Sequence, residues 1–335
     1  MAETNRLNFL DFAKSKDPNG VQAQVFELMA QYNPVMQDAP AFPSNAPMGN
    51  RTTYRRSLPS VGTAKINKGV TRSKSQTDQR IDAIGYFAGR SEIDSRLMKI
   101  EGSGAFQSKR AAEDRSFEEA LSQLVCNTIF YGDTKTDEAS FDGLAPRMDD
   151  LNPGTSITGS QVWSQGSPGS TDTASIYVID WGADACHLIY PPESVGGLDV
   201  QDKGEVSVDD VDGNPMFAYV SAYDWFVGLA VKDPRHIARL CNIDVSDSKV
   251  AAPTQAGGAL INSLEEIMAY MPDPGPAQRV LYCPTALYSS FMKQARSFSN
   301  QALSIQDYLG RKTPHFYEYP LRKVDQLSVT ESTVS

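Results

Sequence analysis

Residues 51–80 read RTTYRRSLPSVGTAKINKGVTRSKSQTDQR. Eight of these thirty residues are basic (Arg51, Arg55, Arg56, Lys65, Lys68, Arg72, Lys74 and Arg80), and Asp78 alone is acidic, a charge of +7. The other 305 residues hold 23 basic and 40 acidic side chains, or −17, within a 335-residue chain of net charge −10. From Thr71 to Arg80 no residue is apolar, so this stretch has no face to bury on its own chain. It reads as a long, extended, two-stranded loop turning near Asn67-Lys68-Gly69. A loop this long without a core is functional or disordered. A cationic limb on an anionic body suits attachment to a second copy of the same chain, because opposite charges orient the two as they meet.

Working outward, residues 1–48 have little core-forming power. A short apolar group (Leu7, Phe9, Leu10, Phe12) precedes a predicted helix over 20–32, with Val21, Val25, Leu28, Met29 and Tyr32 on one face. Pro34, Pro40, Pro43 and Pro47 then predict an extended path, so the segment reads as a helix on a tether. Beyond the basic window, Ile81, Ile84, Tyr86 and Phe87 predict a strand returning to the body. Ile93, Leu97, Met98 and Ile100 predict a short helix broken at Gly102-Ser103-Gly104. The longest helix is predicted over 105–131. Its apolar stripe is Phe117, Ala120, Leu121, Leu124, Val125, Thr128 and Ile129, and Gly132 stands at the C′ position. Such a rod is roughly 40 Å long and would serve as a spine.

Residues 133–175, rich in Gly, Pro, Ser, Thr and Asp, read as a linker or loop region. Strands are predicted at 176–179 and 187–190, and a hairpin pairs 205–211 with 216–223 about Asp212-Gly213. A further strand is predicted at 225–231. A helix over 260–271, a strand over 279–283 and a helix over 285–297 behind Pro284 follow, with a closing strand over 316–329. The fold class is α+β, without a βαβ repeat.

Catalytic patterns are absent. The chain has three histidines (His187, His236, His315), each in apolar or strand-like surroundings that suit a structural role, and no G-x-S-x-G elbow. No phosphate-binding loop occurs: Gly102-Ser103-Gly104 is followed by Gln107 where a glycine is needed. Asp209, Asp210 and Asp212, with Asp199, Asp202 and Glu205 upstream, do not fit a calcium-loop spacing and read as a solvated hairpin tip. A hydrolase built on Asp184, Asp210 or Asp212 is the rival from another class. The basic window could neutralise phosphates, but with one aromatic, Tyr54, and a net charge of −10, nucleic-acid binding is the weaker reading. The expectation is no catalytic, cofactor or metal site. Cys126, Cys186, Cys241 and Cys283 form no C-x-x-C pair and read as free thiols in a reducing compartment. Neither a transmembrane stretch nor a secretory leader is present in the sequence.

The order of parts resembles the major capsid protein of tailed phages with the Hong Kong 97-type fold, in particular short-tailed phages of the epsilon-15 type. The stretches that carry the resemblance are Ile81–Tyr86 through Ser91–Asp94, the helix end Asn127–Asp133, Gly228–Arg235, Arg239 with Asn242–Asp244, Leu281–Thr285 and Tyr319–Asp325. The resemblance implies an N-terminal arm (1–48), an E-loop (49–88), a peripheral domain with the spine helix (89–133 and 311–335) and an axial domain (134–310). It implies hexamers and pentamers of an icosahedral shell around double-stranded DNA, bound without sequence specificity, in a virion assembled in the host cytoplasm. Portal, scaffolding and cementing proteins are the expected partners, and no membrane is involved. The arm begins within the first residues, so the scaffolding protein is expected to be separate. Some relatives cross-link an E-loop lysine covalently; Lys65 and Lys68 lie in that region, but no catalytic acid is identified and no cross-link is expected. Candidate inter-subunit contacts are Arg51, Arg55, Arg56, Lys65, Lys68, Arg72 and Lys74. An encapsulin-type compartment shell is the alternative within the same fold.

Overall fold

The computed structural model describes residues 33–101, 103–152, 161–165, 172–194, 196–210, 212–245, 257–295, 303–308 and 311–334. The predicted helix over 20–32 and the apolar group before it lie outside the described residues, as does Gly102. The chain opens with a helical turn, α1 (Val35–Asp38), strand β1 (Ala41–Pro43), and a ribbon of β2 (Gly49–Ser57) and β3 (Gln76–Asp94). Helices α2 (Arg96–Glu101), α3 (Ser103–Tyr131) and α4 (Leu144–Arg147) follow, then β4 (Val162–Ser164), β5 (Thr173–Trp181), β6 (Cys186–Tyr190), β7 (Leu198–Asp209), β8 (Pro215–Val231) and β9 (Ile237–Asp244). The remainder comprises α5 (Gly257–Tyr270), β10 (Gln278–Cys283), α6 (Thr285–Ala295), β11 (Leu303–Tyr308), β12 (Arg311–Phe316) and β13 (Tyr319–Lys323).

The strands join in the order β11-β12-β13-β10-β5-β6-β8-β3-β2, with β9 also on β5, β4 on β9, β7 on β8 and β1 on β6. The centre of this sheet is buried on both faces, and the sequence of β5 shows why. Every residue of TASIYVIDW is buried. Ala174, Ile176 and Val178 point to one hydrophobic cluster, and Tyr177, Ile179 and Trp181 to the other. Strand β10 divides the same way, Val280 and Tyr282 against Leu281 and Cys283. Period-2 alternation on a two-sided strand gives an uninterrupted apolar run. Helices α5 and α6 cover one face through Leu264, Ile267, Leu287 and Phe291. The C-terminal half of α3 covers the other through Leu121, Val125, Ile129 and Phe130.

Several predicted elements need correction. Pro34 starts the turn α1 instead of an extended path; its carbonyl accepts from Gln37 (2.9 Å) and Asp38 (3.2 Å), and a missing N–H costs nothing at a helix start. On α3, Ala120 and Leu124 are exposed, while Cys126 and Phe130, outside the predicted stripe, are fully buried. The strand predicted at 225–231 is the continuation of β8, which runs unbroken for 17 residues. Strand β9 has no counterpart in the prediction. The closing strand is shorter than predicted: β13 ends at Lys323, and the tail beyond it threads back into the core through Val324, Leu327 and Val334.

The predicted linker also contains core. Phe141, Leu144 and Met148 are fully buried, and two glycines seat this segment against the end of α3. Gly143 donates to the Gly132 carbonyl (2.8 Å), and Gly132 to Thr128 (2.9 Å). A Cβ on Gly132 would lie 2.4 Å from the Phe141 carbonyl oxygen, so close approach, and not a left-handed backbone, demands glycine here. Gly132→Ala is expected to cost about 1–3 kcal/mol by overpacking, read from urea melts of the purified chain. Gly104→Ala, on the same helix with open space around its Cβ, is the control and is expected to be neutral or stabilising.

Candidate assembly interface

The ribbon β2–β3 is built on a tight root. Gly49 and Gly228 sit where a Cβ would come 2.6 Å from the Asp82 carbonyl oxygen and 2.5 Å from that of Ala83, so three strands close up at one level. There the Asp82 carboxylate, almost wholly buried, accepts from Arg147 Nη1 (2.7 Å) and the Val231 N–H (3.2 Å), with Arg80 Nε 3.4 Å away. Arg147 also donates to the carbonyls of Asp142 (3.0 Å) and Leu229 (3.2 Å). Burial lowers the pKa of Arg80, as does the Arg147 charge, against the opposing carboxylates of Asp82 and Asp142. At Asp142 burial acts to raise the pKa, but hydrogen bonds from Thr134 and the charges of Arg147 and Arg80 outweigh it and hold the carboxyl below its usual range.

From Ile84 inward, β3 pairs with β8; outward, β2 accompanies it from Gly49↔Ala83 to Ser57↔Gln76, with a bulge at Arg56 where the register shifts. An isolated two-stranded ribbon is marginal in water. Residues 58–75 form its tip, turning at Asn67 (φ 65°), with Lys68 N–H donating to the Lys65 carbonyl (3.1 Å) and Ser73 Oγ to the Ser60 carbonyl (2.7 Å). The turn falls where the sequence predicts it.

All seven predicted contact residues are exposed along this ribbon: Arg51, Arg55 and Arg56 on β2, Lys65 and Lys68 at the turn, Arg72 and Lys74 on the returning limb. Among the described residues, the ion pair recorded for any of them is Arg56–Asp78 (4.0 Å), within the ribbon and open to water. Sequence reasoning missed the apolar part of the tip. Leu58, Val61, Ile66 and Val70 project into solvent, Val61 and Ile66 at 91% and 93% exposure. Their irregular spacing among polar residues gives no periodic signal.

The groups weighed for chemistry do not converge. Asp184 lies beside Lys232 (3.9 Å), next to one end of β8, whereas Asp210 and Asp212 precede its other end. Seventeen extended residues separate those ends, roughly 50 Å. Asp210 accepts from the N–H groups of Asp212 (2.9 Å) and Asn214 (2.7 Å) and so closes the hairpin turn. Among the described residues, no group of three or more His, Cys, Asp or Glu is placed to hold a metal ion. His236 Nδ1 meets Asp180 (2.7 Å), which also takes Arg279 (2.7 and 2.9 Å); His315 Nδ1 meets the Thr313 carbonyl (3.2 Å). The four cysteines are free and buried, and burial raises all four thiols, Cys241 to about 11 and Cys126 to about 12. No described helix is long and apolar enough to cross a membrane.

A ribbon with no core of its own, rooted on a two-sided sheet beside a 29-residue helix, defines the class: a phage capsid protein of the Hong Kong 97-like fold. The bacteriophage epsilon15 capsid structure matches with TM-score 0.81 and 25% identity, each chain covered in full. The bacteriophage JBD30 capsid follows at TM-score 0.49 and 11% identity, covering 97% of this chain and 96% of the other. The SrpI encapsulin of Synechococcus elongatus stands at TM-score 0.44 and 12% identity, covering 72% of this chain and 97% of the other. No curated protein matches by sequence. The model of the family "Major capsid protein GP7" matches residues 17–335, and the chain belongs to that family.

Proposed function

We propose that this capsid protein forms hexamers and pentamers of an icosahedral shell enclosing double-stranded DNA, and that it does so as a structural component without catalytic activity. The observation that carries the reading is the exposed ribbon, with seven cations and four aliphatic side chains turned to solvent on a chain of net charge −10. Residues 1–48 act as the N-terminal arm, 49–88 as the E-loop, 89–133 with 311–335 as the peripheral domain, and 134–310 as the axial domain. Arg51, Arg55, Arg56, Lys65, Lys68, Arg72 and Lys74 contact the neighbouring subunit. The packaged DNA is enclosed without sequence recognition, and an inner face that shares the acidic sign of the body would keep it from adhering to the wall. A separate scaffolding protein sets the curvature, a portal occupies one vertex, a cementing protein reinforces the exterior, and assembly takes place in the host cytoplasm.

Sedimentation and negative-stain microscopy of the purified chain test this directly. The expected result is rings of five or six copies and shells of mixed size, becoming uniform when the scaffolding protein is co-expressed. A compact monomer at micromolar concentration, with an ordered ribbon, would overturn it.

A further inference from the structure

The outer strands of the sheet, far from the ribbon in strand order, carry polar groups with nothing to bind. Strand β13 runs parallel to β10, with Leu281↔Leu321 and Tyr282↔Arg322, and antiparallel to β12, with His315↔Pro320 and Phe316↔Tyr319. Leu281, Phe316 and Leu321 belong to the cluster under α5 and α6. Alternation therefore sets Thr313, His315, Pro320 and Arg322 on the opposite face. There they line a cavity of about 210 Å³ together with Gln278 and Leu321. Ser304, cross-strand from His315, lies on the same face.

Thr313 Oγ1, Ser304 Oγ and Arg322 Nε are buried and have no hydrogen-bond partner among the described residues. Native proteins rarely leave such atoms unpaired, and three on one face call for a bound polar group. The arginine decides its sign. Arg322 Nη2 is held by Asp38 (2.9 Å), which leaves the Nε–H, an obligate donor, wanting an acceptor. The Thr313 hydroxyl beside it can donate as well. His315 is 9% exposed, and its Nδ1 lies 3.2 Å from the Thr313 carbonyl. A carbonyl only accepts, so this partner assigns the proton of the neutral ring to Nδ1 and leaves Nε2 as an acceptor. Donors combined with one acceptor match an oxyanion that keeps a hydroxyl of its own. Hydrogen phosphate has one; sulfate has the same shape without it. A metal cation would be repelled by the guanidinium.

We infer that this cavity is a binding site for inorganic phosphate, held by Arg322 Nε, the Thr313 hydroxyl and His315 Nε2. A phosphate there ties β12 to β13 and β10 at the edge of the sheet. The Asp38 carboxylate beside Arg322 opposes the anion and keeps its affinity in the millimolar range. The site shares no residue with the ribbon, so its failure would leave the assembly reading untouched.

Phosphorus-31 NMR of the purified chain tests it. The phosphate resonance is expected to broaden in a saturable way, with sulfate and dimethyl phosphate competing about tenfold more weakly than unlabelled phosphate. Thr313→Val removes an unpaired buried hydroxyl, so it is expected to fold at least as well as the wild type and to raise the half-saturating concentration about tenfold. His315→Phe keeps the ring without its nitrogens; it is expected to erase the preference over sulfate, and it serves alone if the valine variant misfolds. No saturable broadening, or broadening unchanged in both variants, would overturn the site. Sulfate or dimethyl phosphate competing as well as phosphate against the wild type would overturn the assignment of the ligand.

Discussion

A chain in which residues 58–75 are replaced by Asn-Gly is expected to fold and to stay unassembled. Ser57 and Gln76 are cross-strand partners, and a two-residue Asn-Gly connection is a favoured way to close such a pair. Nothing in either hydrophobic cluster comes from the excised segment, so the melting curve should be unchanged. Lost with the tip are Lys65, Lys68, Arg72 and Lys74, together with Leu58, Val61, Ile66 and Val70. Each aliphatic side chain gains about 1.5–3 kcal/mol on full burial, and each charge pair at a rim adds little but sets orientation. A shell repeats its contact at every subunit, so losing several kcal/mol at one contact is expected to abolish particles altogether. Microscopy and sedimentation would show it; particles of normal yield would refute it.

Replacing Arg147 by alanine is expected to cost about 3–5 kcal/mol of folding stability, because it strands a buried carboxylate. Asp82 and Arg147 are both almost completely buried at the ribbon root and lie 2.7 Å apart. The nearby Arg80 is a partial substitute at best: it is one-third exposed and stands 3.4 Å from the same oxygen. Arg147→Lys keeps the charge but loses the donors that reach the carbonyls of Asp142 and Leu229, and an intermediate loss is expected. Paired replacement, Asp82→Asn with Arg147→Met, is expected to recover part of the deficit, since no unpaired charge then remains buried. Chemical denaturation of all three reads the series. Equal losses for the alanine and paired variants would show that packing, and not charge burial, holds this site.

How much of this was legible in the sequence depends on where each residue finds its partner. Strand β5 could be read because its run of apolar residues is self-evident, and the β7–β8 turn because Asp212-Gly213 signals it locally. The segment around Phe141 read as linker: its glycines and aspartates are turn residues, and its justification, Arg147 against Asp82, lies 65 positions away. Strand β9 was invisible for a like reason. Arg239 and Asn242 interrupt its apolar run, but Glu331 pairs with the first (2.8 Å) and the Val334 backbone with the second (2.8 and 2.9 Å). The separate strand predicted from Trp225 reflects Asp224, which looks like a break and instead takes a hydrogen bond from the Tyr86 hydroxyl at the surface. At the interface the cations were legible as a composition shift. The aliphatic tip residues Leu58, Val61, Ile66 and Val70 gave no such signal, because their irregular spacing among polar neighbours follows neither a helical nor a strand period.

The glycine-packed root of the ribbon has a mechanical consequence. Backbone contact is closest where Gly49, Asp82 and Gly228 interlock, and the nine residues of β2 counted from Gly49 make a lever roughly 30 Å long. On a lever of that length, a flexure of about 5° displaces the far end by roughly 2.6 Å. One polypeptide can therefore greet neighbours set at slightly unequal inclinations, absorbing the difference along the lever while its foundation stays undisturbed.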